Sequence, residues 1–475
     1  MNEKLEAFKK YIAGKSVALI GAGISNMTCV APLLSWGAAV CVRDKDPDPT
    51  YTPDGEGGRV ERVKPLLDSL GAAYRFGDDY LKELCEDVII KTPAVRYDVP
   101  EIAGAVARGA ELTSEVGLFC RLCPCPIFAV TGSDGKTTTT TLIHKMLSEE
   151  YSGTGKRVWL GGNIGTPLFP ETENVSAEDY AVLELSSFQL QTMDFSPYCA
   201  VVTNISPNHL NWHRDMDEYV RSKANIFAGQ REDQRAVFNA ENAYTTAFAG
   251  EARANVTLFS SKRKPDGNAV WLDGDMIYCE GKPVMRRSDI RLVGDHNVEN
   301  YMAAIAATRG LVSDGTVRKV AGSFGGVRHR LEEVLEKDGV RFYNSSIDTT
   351  PSRTMAALGA FCGNVILICG GSDKNIPMEP MIPVIKEKTR FVCATGTTGE
   401  KLYAMLVAAG YPSESIVYER DFDTAVTVAC EKAKRGDVVL LSPAAASFDS
   451  FRNFEVRGNR FCELIKNIKE KTNGC

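Results

Sequence analysis

Short runs of apolar, β-branched residues alternate along almost the whole chain with segments whose apolar residues recur at helical spacing. Continuous apolar runs are typical of strands buried on both faces, as in parallel sheets covered by helices. The pattern therefore predicts an α/β protein with mostly parallel sheets. The runs that we interpret as strands are Ser16–Ile20, Ala39–Val42, Asp87–Ile90, Ile127–Val130, Tyr180–Leu185, Ala200–Asn204, Arg341–Tyr343, Val365–Cys369, Phe391–Ala394, Ile416–Tyr418 and Val438–Leu441.

The strand runs fall into three blocks, and a chain of 475 residues is long enough for about three domains. We place the domains at residues 1–114, 115–326 and 327–475. A net charge of −6 gives no basic excess, which argues against a nucleic-acid partner. The start of the chain has no apolar segment typical of a secretion signal, and no apolar run is long enough to span a membrane. With scattered cysteines that fit reduced thiols, this predicts a cytoplasmic protein.

A glycine-rich turn follows the Ile127–Val130 run and precedes a helical pattern. Such a turn can curl its backbone N–H groups around phosphate oxygens, and the helix N-terminus favours the negative charge. A lysine there neutralises phosphate, and the next hydroxyl can bind Mg²⁺. Only two residues separate the two glycines, so the loop is shorter than the common P-loop. The predicted phosphate-binding residues are Gly132, Ser133, Asp134, Gly135, Lys136, Thr137 and Thr138.

Three further residues could bind metal near this loop. Glu184 ends a predicted strand, where α/β proteins place their sites. His209 follows another strand, and Lys223 lies in a helical pattern. Taken singly, each residue has an ordinary alternative: a surface carboxylate, a core or capping histidine, and an exposed lysine.

The first block contains Gly21-Ala22-Gly23, which begins like a dinucleotide-binding turn, with Asp44 at the end of the next strand. The third glycine position of that motif is Asn26. A partial motif leaves three interpretations open: an NAD(P) site, another nucleotide site, or a turn without a ligand.

Taken together and in order, these segments resemble the Mur ligase family, and most closely its D-glutamate-adding members. The phosphate loop alone is also similar to that of folylpolyglutamate synthases. The stretch Leu441–Phe461 is the most specific part of the resemblance. The segments that carry it are Gly132–Thr138, Gly161–Gly165, Glu184–Leu190, Asn204–Leu210, Tyr219–Phe227, Gly294–Asn300, Val327–Glu332, Gly370–Asn375 and Leu441–Phe461.

The resemblance implies a Rossmann-like N-terminal domain, a central P-loop ATPase domain and a Rossmann-like C-terminal domain. It implies an ATP-dependent ligase that joins D-glutamate to UDP-N-acetylmuramoyl-L-alanine through an acyl phosphate, in peptidoglycan precursor synthesis. ATP and two Mg²⁺ ions are the expected cofactors, and Lys223 is expected to be carbamylated. The partners are these small molecules only, with no nucleic acid and no membrane span, and the protein is expected to be a monomer.

Residue roles follow from the same resemblance. Arg330 is expected to stabilise phosphate charge in the transition state, and Asn297 and Asn300 to contact ATP, on a helix that we expect to begin near Asn300. The expected catalytic residues are Lys136, Glu184, His209, Lys223 and Arg330, and the metal ligands are Thr137, Glu184, His209 and carbamylated Lys223. The expected UDP-substrate residues are Ile24, Ser25, Asp44, Lys45 and Asn163. The expected D-glutamate residues are Thr349, Lys374, Ser447, Phe448 and Phe454.

The chain departs from the family pattern at four positions near the expected sites. Asn208 and Asn211 replace aspartates beside His209, Ser345 replaces an aspartate, and Ile347 replaces a lysine. We expect Asp348 or Arg353 to compensate for the last two. The departures leave open a catalytically impaired, ligase-like binding protein. A ligase of different amino-acid specificity, a folylpolyglutamate synthase and an NAD(P) oxidoreductase are also compatible with parts of the sequence.

Overall fold

The computed structural model describes residues 2–53, 60–210, 212–374 and 376–471, with side chains as far as residue 467. It forms two compact units, Met1–Asp289 with His296–Gly322, and Ile290–Asp295 with Ser323–Cys475. The predicted α/β class with mostly parallel sheets is confirmed. The first predicted domain and most of the second fall in one unit, while residues 290–295 and 323–326 belong to the other, so the boundary between residues 114 and 115 stays a prediction. Within the described ranges, no helix is long and apolar enough to cross a membrane.

The first unit begins with a five-stranded parallel sheet of order β5-β2-β1-β6-β7. Its main apolar core lies between this sheet and helices α1, α2 and α5, and it includes Phe8, Val30 and Leu118. Two short strands of two residues each, β3 and β4, form a separate antiparallel pair in the same segment. The elements are α1 Glu3–Ile12, β1 Ser16–Ile20, α2 Ile24–Ser35, β2 Ala39–Asp44, β3 Thr50–Tyr51, β4 Glu61–Arg62, α3 Val63–Leu70, β5 Ala73–Phe76, β6 Val88–Lys91, α4 Pro100–Ala107, β7 Glu111–Thr113 and α5 Glu115–Leu122.

A nine-stranded sheet of order β16-β15-β14-β13-β12-β11-β8-β10-β9 forms the rest of this unit. Strands β8 to β14 run parallel, and β14, β15 and β16 form an antiparallel edge. The interior strand β8 is buried along its whole length, as its uninterrupted apolar run predicts. The elements are β8 Ile127–Thr131, α6 Lys136–Glu150, β9 Val158–Gly162, β10 Tyr180–Glu184, α7 Ser187–Leu190, β11 Cys199–Val202, α8 Met216–Ala228, β12 Arg235–Asn239, α9 Ala243–Glu251, β13 Asn255–Ser260, β14 Ala269–Asp273, β15 Met276–Cys279, β16 Lys282–Arg286, α10 Asp295–Thr308 and α11 Asp314–Ser323, with short 3-10 helices at Phe169–Glu173 and Arg287–Asp289.

The second unit is built on a six-stranded sheet of order β17-β18-β22-β19-β20-β21. Only β17 is antiparallel to its neighbour, and apolar cores cover both faces of the sheet. The elements are β17 Glu332–Lys337, β18 Val340–Asn344, α12 Pro351–Gly359, β19 Val365–Gly370, α13 Ile382–Lys388, β20 Thr389–Thr395, α14 Gly396–Ala408, β21 Ile416–Glu419, α15 Phe422–Lys432, β22 Val438–Leu441 and α16 Phe454–Lys471, with short 3-10 helices at Glu379–Met381 and Ser413–Ser415.

The prediction that a helix begins near Asn300 is wrong. Helix α10 begins at Asp295, one turn earlier, and both Asn297 and Asn300 are buried inside it. Asparagine is a weak helix former, and the sequence pattern therefore favoured a cap at these positions. Burial of the polar side chains against the phosphate loop outweighs that local preference.

Candidate active site

The phosphate loop lies at the carboxyl end of β8 and at the start of α6, as the sequence predicted. Gly132 and Gly135 both have positive φ angles, +151° and +77°, a backbone conformation that favours glycine. The Lys136 Nζ donates to the Ser133 carbonyl at 2.8 Å, so the lysine lies folded over the loop. The loop therefore presents the N-terminus of a 15-residue helix and a lysine at one point, which is the arrangement that binds phosphate.

Side chains from other segments pack closely against the two glycines of this loop. A Cβ atom at Gly132 would overlap Thr203 Oγ1, and one at Gly135 would overlap Asn300 Oδ1. The same Asn300 oxygen accepts from Thr139 at 3.3 Å, and the Asn300 amide donates to Asn297 at 3.0 Å. Both asparagines thus contact or support the loop from α10, and a role in contacting ATP stays a prediction.

Glu184 ends β10 next to the loop and is 1% exposed. Its Oε1 accepts from Asn163 Nδ2 at 2.8 Å, and Asn163 N–H donates to the Glu184 carbonyl at 2.7 Å. Within the described part of the chain, Glu184 Oε2 is buried without a hydrogen-bond donor. A buried carboxylate oxygen without a donor is costly unless a cation is present. Glu184 is therefore suited to binding a metal ion, and Asn163 orients it.

Lys223 projects from α8 toward the same loop and is 2% exposed. Its Nζ donates to the Gly132 carbonyl at 2.8 Å and to Thr131 Oγ1 at 3.3 Å. Burial, together with the positive charge of Lys136, lowers the pKa of Lys223 well below its usual value, although Glu184 and Asp134 act in the opposite direction. A larger fraction of the amine is therefore neutral and nucleophilic than in an exposed lysine.

His209 lies in the loop after β11, is exposed, and has a φ of +55°. Its ring lies edge-on to Phe188, 5.0 Å between centroids. Among the described residues, no three His, Cys, Asp or Glu side chains converge as metal ligands. The predicted ligand set contains only two residues of those types, Glu184 and His209, so it stays a prediction. Asn208 is exposed, and Asn211 lies outside the described residues.

The sequence interpretation missed a polar network beside Glu184. His213 is buried, with its Nε2 2.9 Å from Ser187 Oγ and its Nδ1 3.5 Å from Glu218 Oε2. Arg96, from the loop after β6, donates to Glu218 at 2.9 Å and to the Trp212 carbonyl at 2.7 Å. This network connects the first sheet to α8, which carries Lys223. The four-residue spacing of His209 and His213 was the available signal, but only the fold brings Arg96 to it.

Hydrogen bonds from Asn26 and to Asp44 stabilise the glycine turn of the first sheet. Asn26 is fully buried, and its amide donates to the Ile20 and Gly21 carbonyls at 2.8 and 3.0 Å. Asp44 Oδ2 accepts from Ala22 N at 2.6 Å. Asp44 therefore shapes the turn itself. The predicted substrate residues Ile24 and Ser25 lie directly after the turn, at the start of α2. Of the other two predicted substrate residues, Lys45 is exposed directly after β2, and Asn163 lies beside Glu184 on the nine-stranded sheet.

In the second unit, Arg330 lies between two residues with positive φ, His329 at +60° and Leu331 at +41°. The backbone here is fixed by Ser345, whose hydroxyl accepts from Leu331 N at 3.1 Å, and by Asn344, 2.9 Å from His329 Nδ1. Ser345, which replaces the family's aspartate, thus helps to hold the segment that carries Arg330.

Asp348 is a buried carboxylate in the same loop. Its Oδ2 accepts from Ser442 Oγ at 2.9 Å. Burial raises the pKa of Asp348, while hydrogen bonds and the charges of Arg353 and Arg330 act against the increase. Although Ser345 replaces the family's aspartate, the loop therefore keeps a carboxylate. Asp348 lies three positions after Ser345 and one position after Ile347 in sequence. Compensation by Asp348 stays a prediction.

The predicted D-glutamate residues come from three loops and the start of α16. Lys374 Nζ donates to Thr349 Oγ1 at 3.0 Å, so these two are brought together. Ser447 is buried, and Phe448 is 74% exposed. Phe454 is the first residue of α16, with its ring 6.2 Å from that of His329. Because its ring is exposed, Phe448 is available to cover a ligand.

The phosphate loop at the end of a parallel strand, with a buried carboxylate and a buried amine beside it, defines a P-loop nucleotide-binding protein. Two family models match the chain: the Mur ligase middle domain over residues 130–308 and the Mur ligase, glutamate ligase domain over residues 329–445. The chain belongs to the Mur ligase family.

Curated relatives match along the full length. The chain is 44% identical to UDP-N-acetylmuramoylalanine–D-glutamate ligase of Ruminiclostridium cellulolyticum, over 99% of this chain and 100% of the relative. It is 45% identical to the protein of the same name in Acetivibrio thermocellus, with the same coverage. Among solved structures, the UDP-N-acetylmuramate-alanine ligase of Thermotoga maritima matches with a TM-score of 0.56 at 19% identity, over 95% of this chain and 99% of that one. This last similarity concerns the fold.

Proposed function

We propose that the protein is an ATP-dependent ligase that adds D-glutamate to UDP-N-acetylmuramoyl-L-alanine in peptidoglycan precursor synthesis. The full-length similarity to enzymes named for this reaction supports the choice of substrates. The observation that carries the proposal is the group formed by the phosphate loop, Glu184 and Lys223, because it combines phosphate binding with buried groups suited to a divalent cation.

ATP binds with its phosphates on the loop from Gly132 to Thr138. Lys136 turns from the Ser133 carbonyl to the terminal phosphate, where its charge offsets the negative charge that builds up during transfer. Glu184 and the Thr137 hydroxyl would hold Mg²⁺ beside the phosphates, and His209 is the predicted ligand of a second ion. The orphaned Glu184 Oε2 fits this function. When bound, Mg²⁺ neutralises phosphate charge and orients the terminal phosphate.

Lys223 acts in this proposal as a carbamate. Its neutral amine nitrogen attacks the carbon of CO₂ and forms an N–C bond, while one C=O π bond opens and places its electron pair on oxygen. The nitrogen then releases one proton. The product carries oxygen atoms and a negative charge, which suit a hard cation. The lowered pKa of Lys223 supports this step, because only the neutral amine reacts.

The reaction then has two steps. A carboxylate oxygen of the alanine attacks the γ-phosphorus of ATP, which gives an acyl phosphate and ADP. The neutral D-glutamate amine attacks the acyl carbon and forms the amide N–C bond. The C–O bond to phosphate breaks, phosphate leaves with one oxygen of the original carboxylate, and the nitrogen releases one proton. The protein contributes positioning and charge stabilisation rather than a covalent group.

The first sheet, with Ile24, Ser25, Asp44 and Lys45, is assigned to the UDP part of the substrate. The residues assigned to D-glutamate are Thr349, Lys374, Ser447, Phe448 and Phe454, and Arg330 is assigned to phosphate charge. We place the domain boundaries at residues 114 and 326. We also propose that the enzyme acts as a monomer in the cytoplasm.

The test is phosphate release from ATP with UDP-N-acetylmuramoyl-L-alanine and one amino acid at a time: D-glutamate, L-glutamate, D-alanine, L-alanine or a diamino acid. We expect release with D-glutamate only, and a Lys136→Met control should be silent. Release with a different amino acid would contradict the proposed specificity. Silence of the wild-type enzyme with the whole panel would contradict the ligase function and favour a binding protein.

A further inference from the structure

Arg457 lies one turn into α16, within the most family-specific stretch of the sequence, and the proposed reaction gives it no role. It is 2% exposed and is among the largest fully buried side chains in the described part of the chain. A guanidinium group is rarely buried unless its donors are all used. Its environment therefore indicates what it does.

The guanidinium group of Arg457 connects two loops of the second unit. Its Nε donates to Ser346 Oγ at 3.0 Å, and one terminal nitrogen donates to the Ser346 carbonyl at 3.0 Å and to the Ala445 carbonyl at 3.2 Å. The other terminal nitrogen donates to the Ala446 carbonyl at 3.1 Å. These partners closely precede two of the residues assigned to D-glutamate, because Ser346 belongs to the Thr349 loop and Ala446 is adjacent to Ser447.

A third loop is held to the same group. The Ala446 carbonyl also accepts from Ser372 N at 2.8 Å, in the loop that carries Lys374. Gly371 packs so closely that an added Cβ would lie 3.1 Å from an Arg457 nitrogen and would overlap the Ala446 carbonyl. Ser346 Oγ in turn donates to the carbonyl of Phe454, 2.7 Å away. Arg457 is thus in contact, directly or through one bond, with every segment that contributes to the assigned D-glutamate site.

Arg457 also supplies a fixed charge. Burial lowers the pKa of its guanidinium to about 10, while Asp449, Cys369 and Asp348 act in the opposite direction, so the group remains a cation at neutral pH. Burial lowers the pKa of Lys374, and the charges of Arg457 and Arg353 lower it further. Such mutual repulsion is relieved when an anion binds between or beside the cations. A substrate with two carboxylates is suited to this.

We propose that Arg457 is a positioning residue of the amino-acid site, which fixes the three loops around D-glutamate and supplies part of the positive potential for its carboxylates. The inference rests on the proposed function. Lysine at this position would keep the charge but could not form the same set of bonds, since it lacks the planar fork of donors. Methionine would remove both the charge and the bonds.

The test compares Arg457→Lys and Arg457→Met with Arg460→Met in phosphate-release kinetics with all three substrates. Arg460 is a suitable control because it lies on the same helix and binds Asp423 at the surface. We expect Arg457→Lys to raise KM for D-glutamate at least about tenfold, equivalent to about 1.4 kcal/mol. KM for ATP and for the UDP-linked substrate should change by less than about threefold. Arg457→Met should have a larger effect on the same constant.

Ser346→Ala provides a milder variant in case the arginine variants do not fold, because it removes a single acceptor of Arg457. It should raise KM for D-glutamate and leave KM for ATP unchanged. An unchanged KM for D-glutamate in folded Arg457→Lys, or in Ser346→Ala, would overturn the inference. Equal increases in all three KM values would also overturn it, since they would indicate a general structural defect. A silent wild-type enzyme would instead contradict the proposed function, and the inference with it.

Discussion

Replacement of Glu115 by glutamine should change how the stability of the first unit depends on pH. Glu115 is the first residue of α5, is buried, and accepts the backbone N–H of Phe169 at 2.8 Å. Phe169 packs in turn against Trp36, with 5.4 Å between ring centroids. The carboxylate therefore links α5 to the 3-10 helix that follows β9, at the junction of the two sheets.

Burial raises the pKa of Glu115 from 4.5 to about 7, although hydrogen bonds from the backbone of Phe169 and Leu168 act against the increase. A raised pKa means that the folded state holds a proton that the unfolded state has released. The stability from this group is therefore fully present below pH 4.5 and is lost as the pH rises through 7. The difference of about 2.5 pH units corresponds to between about 3 and 4 kcal/mol, at about 1.4 kcal/mol per unit.

Glutamine has no proton to lose and retains an oxygen that can accept from Phe169. Glu115→Gln should thus gain stability relative to wild type between pH 5 and pH 7, and the difference should level off above pH 7. Urea unfolding at a series of pH values, followed by tryptophan fluorescence, measures this difference. The exposed Glu251→Gln is the matched control and should run parallel to wild type. A difference in unfolding free energy between Glu115→Gln and wild type that does not vary with pH would show that Glu115 does not bind a proton on folding in this range.

Three further changes test other parts of the structure. Asn163→Ala removes the side-chain amide that orients Glu184. The variant should raise the Mg²⁺ concentration for half-maximal phosphate release by about 10- to 100-fold. An unchanged Mg²⁺ dependence would count against a metal function for Glu184. Gly135→Ala should raise KM for ATP about tenfold or more, because the residue has a positive φ and an added Cβ would overlap Asn300. Gly153 is the matched control, since it also has a positive φ, +76°, but no atom lies within 4 Å of an added Cβ. Gly153→Ala should therefore leave KM for ATP unchanged. Equal effects of the two glycine variants would contradict the close fit behind the loop. Arg96→Met removes the main partner that holds the pKa of Asp98 at about 2, and the stability from that carboxylate is present above its usual pKa of 3.8 and lost as the pH falls through 2. The midpoint of acid unfolding should therefore move to higher pH in Arg96→Met, and a midpoint at the wild-type value would show that the ion pair contributes nothing.

The central strands could be predicted because burial on both faces produces uninterrupted apolar runs. Strands β1, Ser16–Ile20, and β22, Val438–Leu441, have the predicted bounds, and β8 extends one residue further than predicted. Edge strands such as β7 and β16 are short or partly exposed, so their sequences mix polar and apolar residues and gave no such signal. Whether a strand lies at the centre or the edge of a sheet depends on tertiary packing, which local sequence does not contain.

The phosphate loop was predictable for a similar reason, since its glycines, lysine and threonine are adjacent in sequence. The contacts that complete the site are not. Asn300 and Thr203 reach the loop from α10 and from the end of β11, and Arg96 reaches Glu218 from the other sheet. Asn26 could be seen to replace a glycine, but its function in bridging β1 and β6 required the fold.

Passage through an acyl phosphate can be tested by following the oxygen atoms of the alanine carboxylate. UDP-N-acetylmuramoyl-L-alanine labelled with ¹⁸O in its alanine carboxylate would be turned over with ATP and D-glutamate, and the released phosphate analysed by mass spectrometry. We expect one ¹⁸O atom in each phosphate released, because phosphate leaves with a carboxylate oxygen. Phosphate released in step with amide formation but without label would rule out an acyl phosphate.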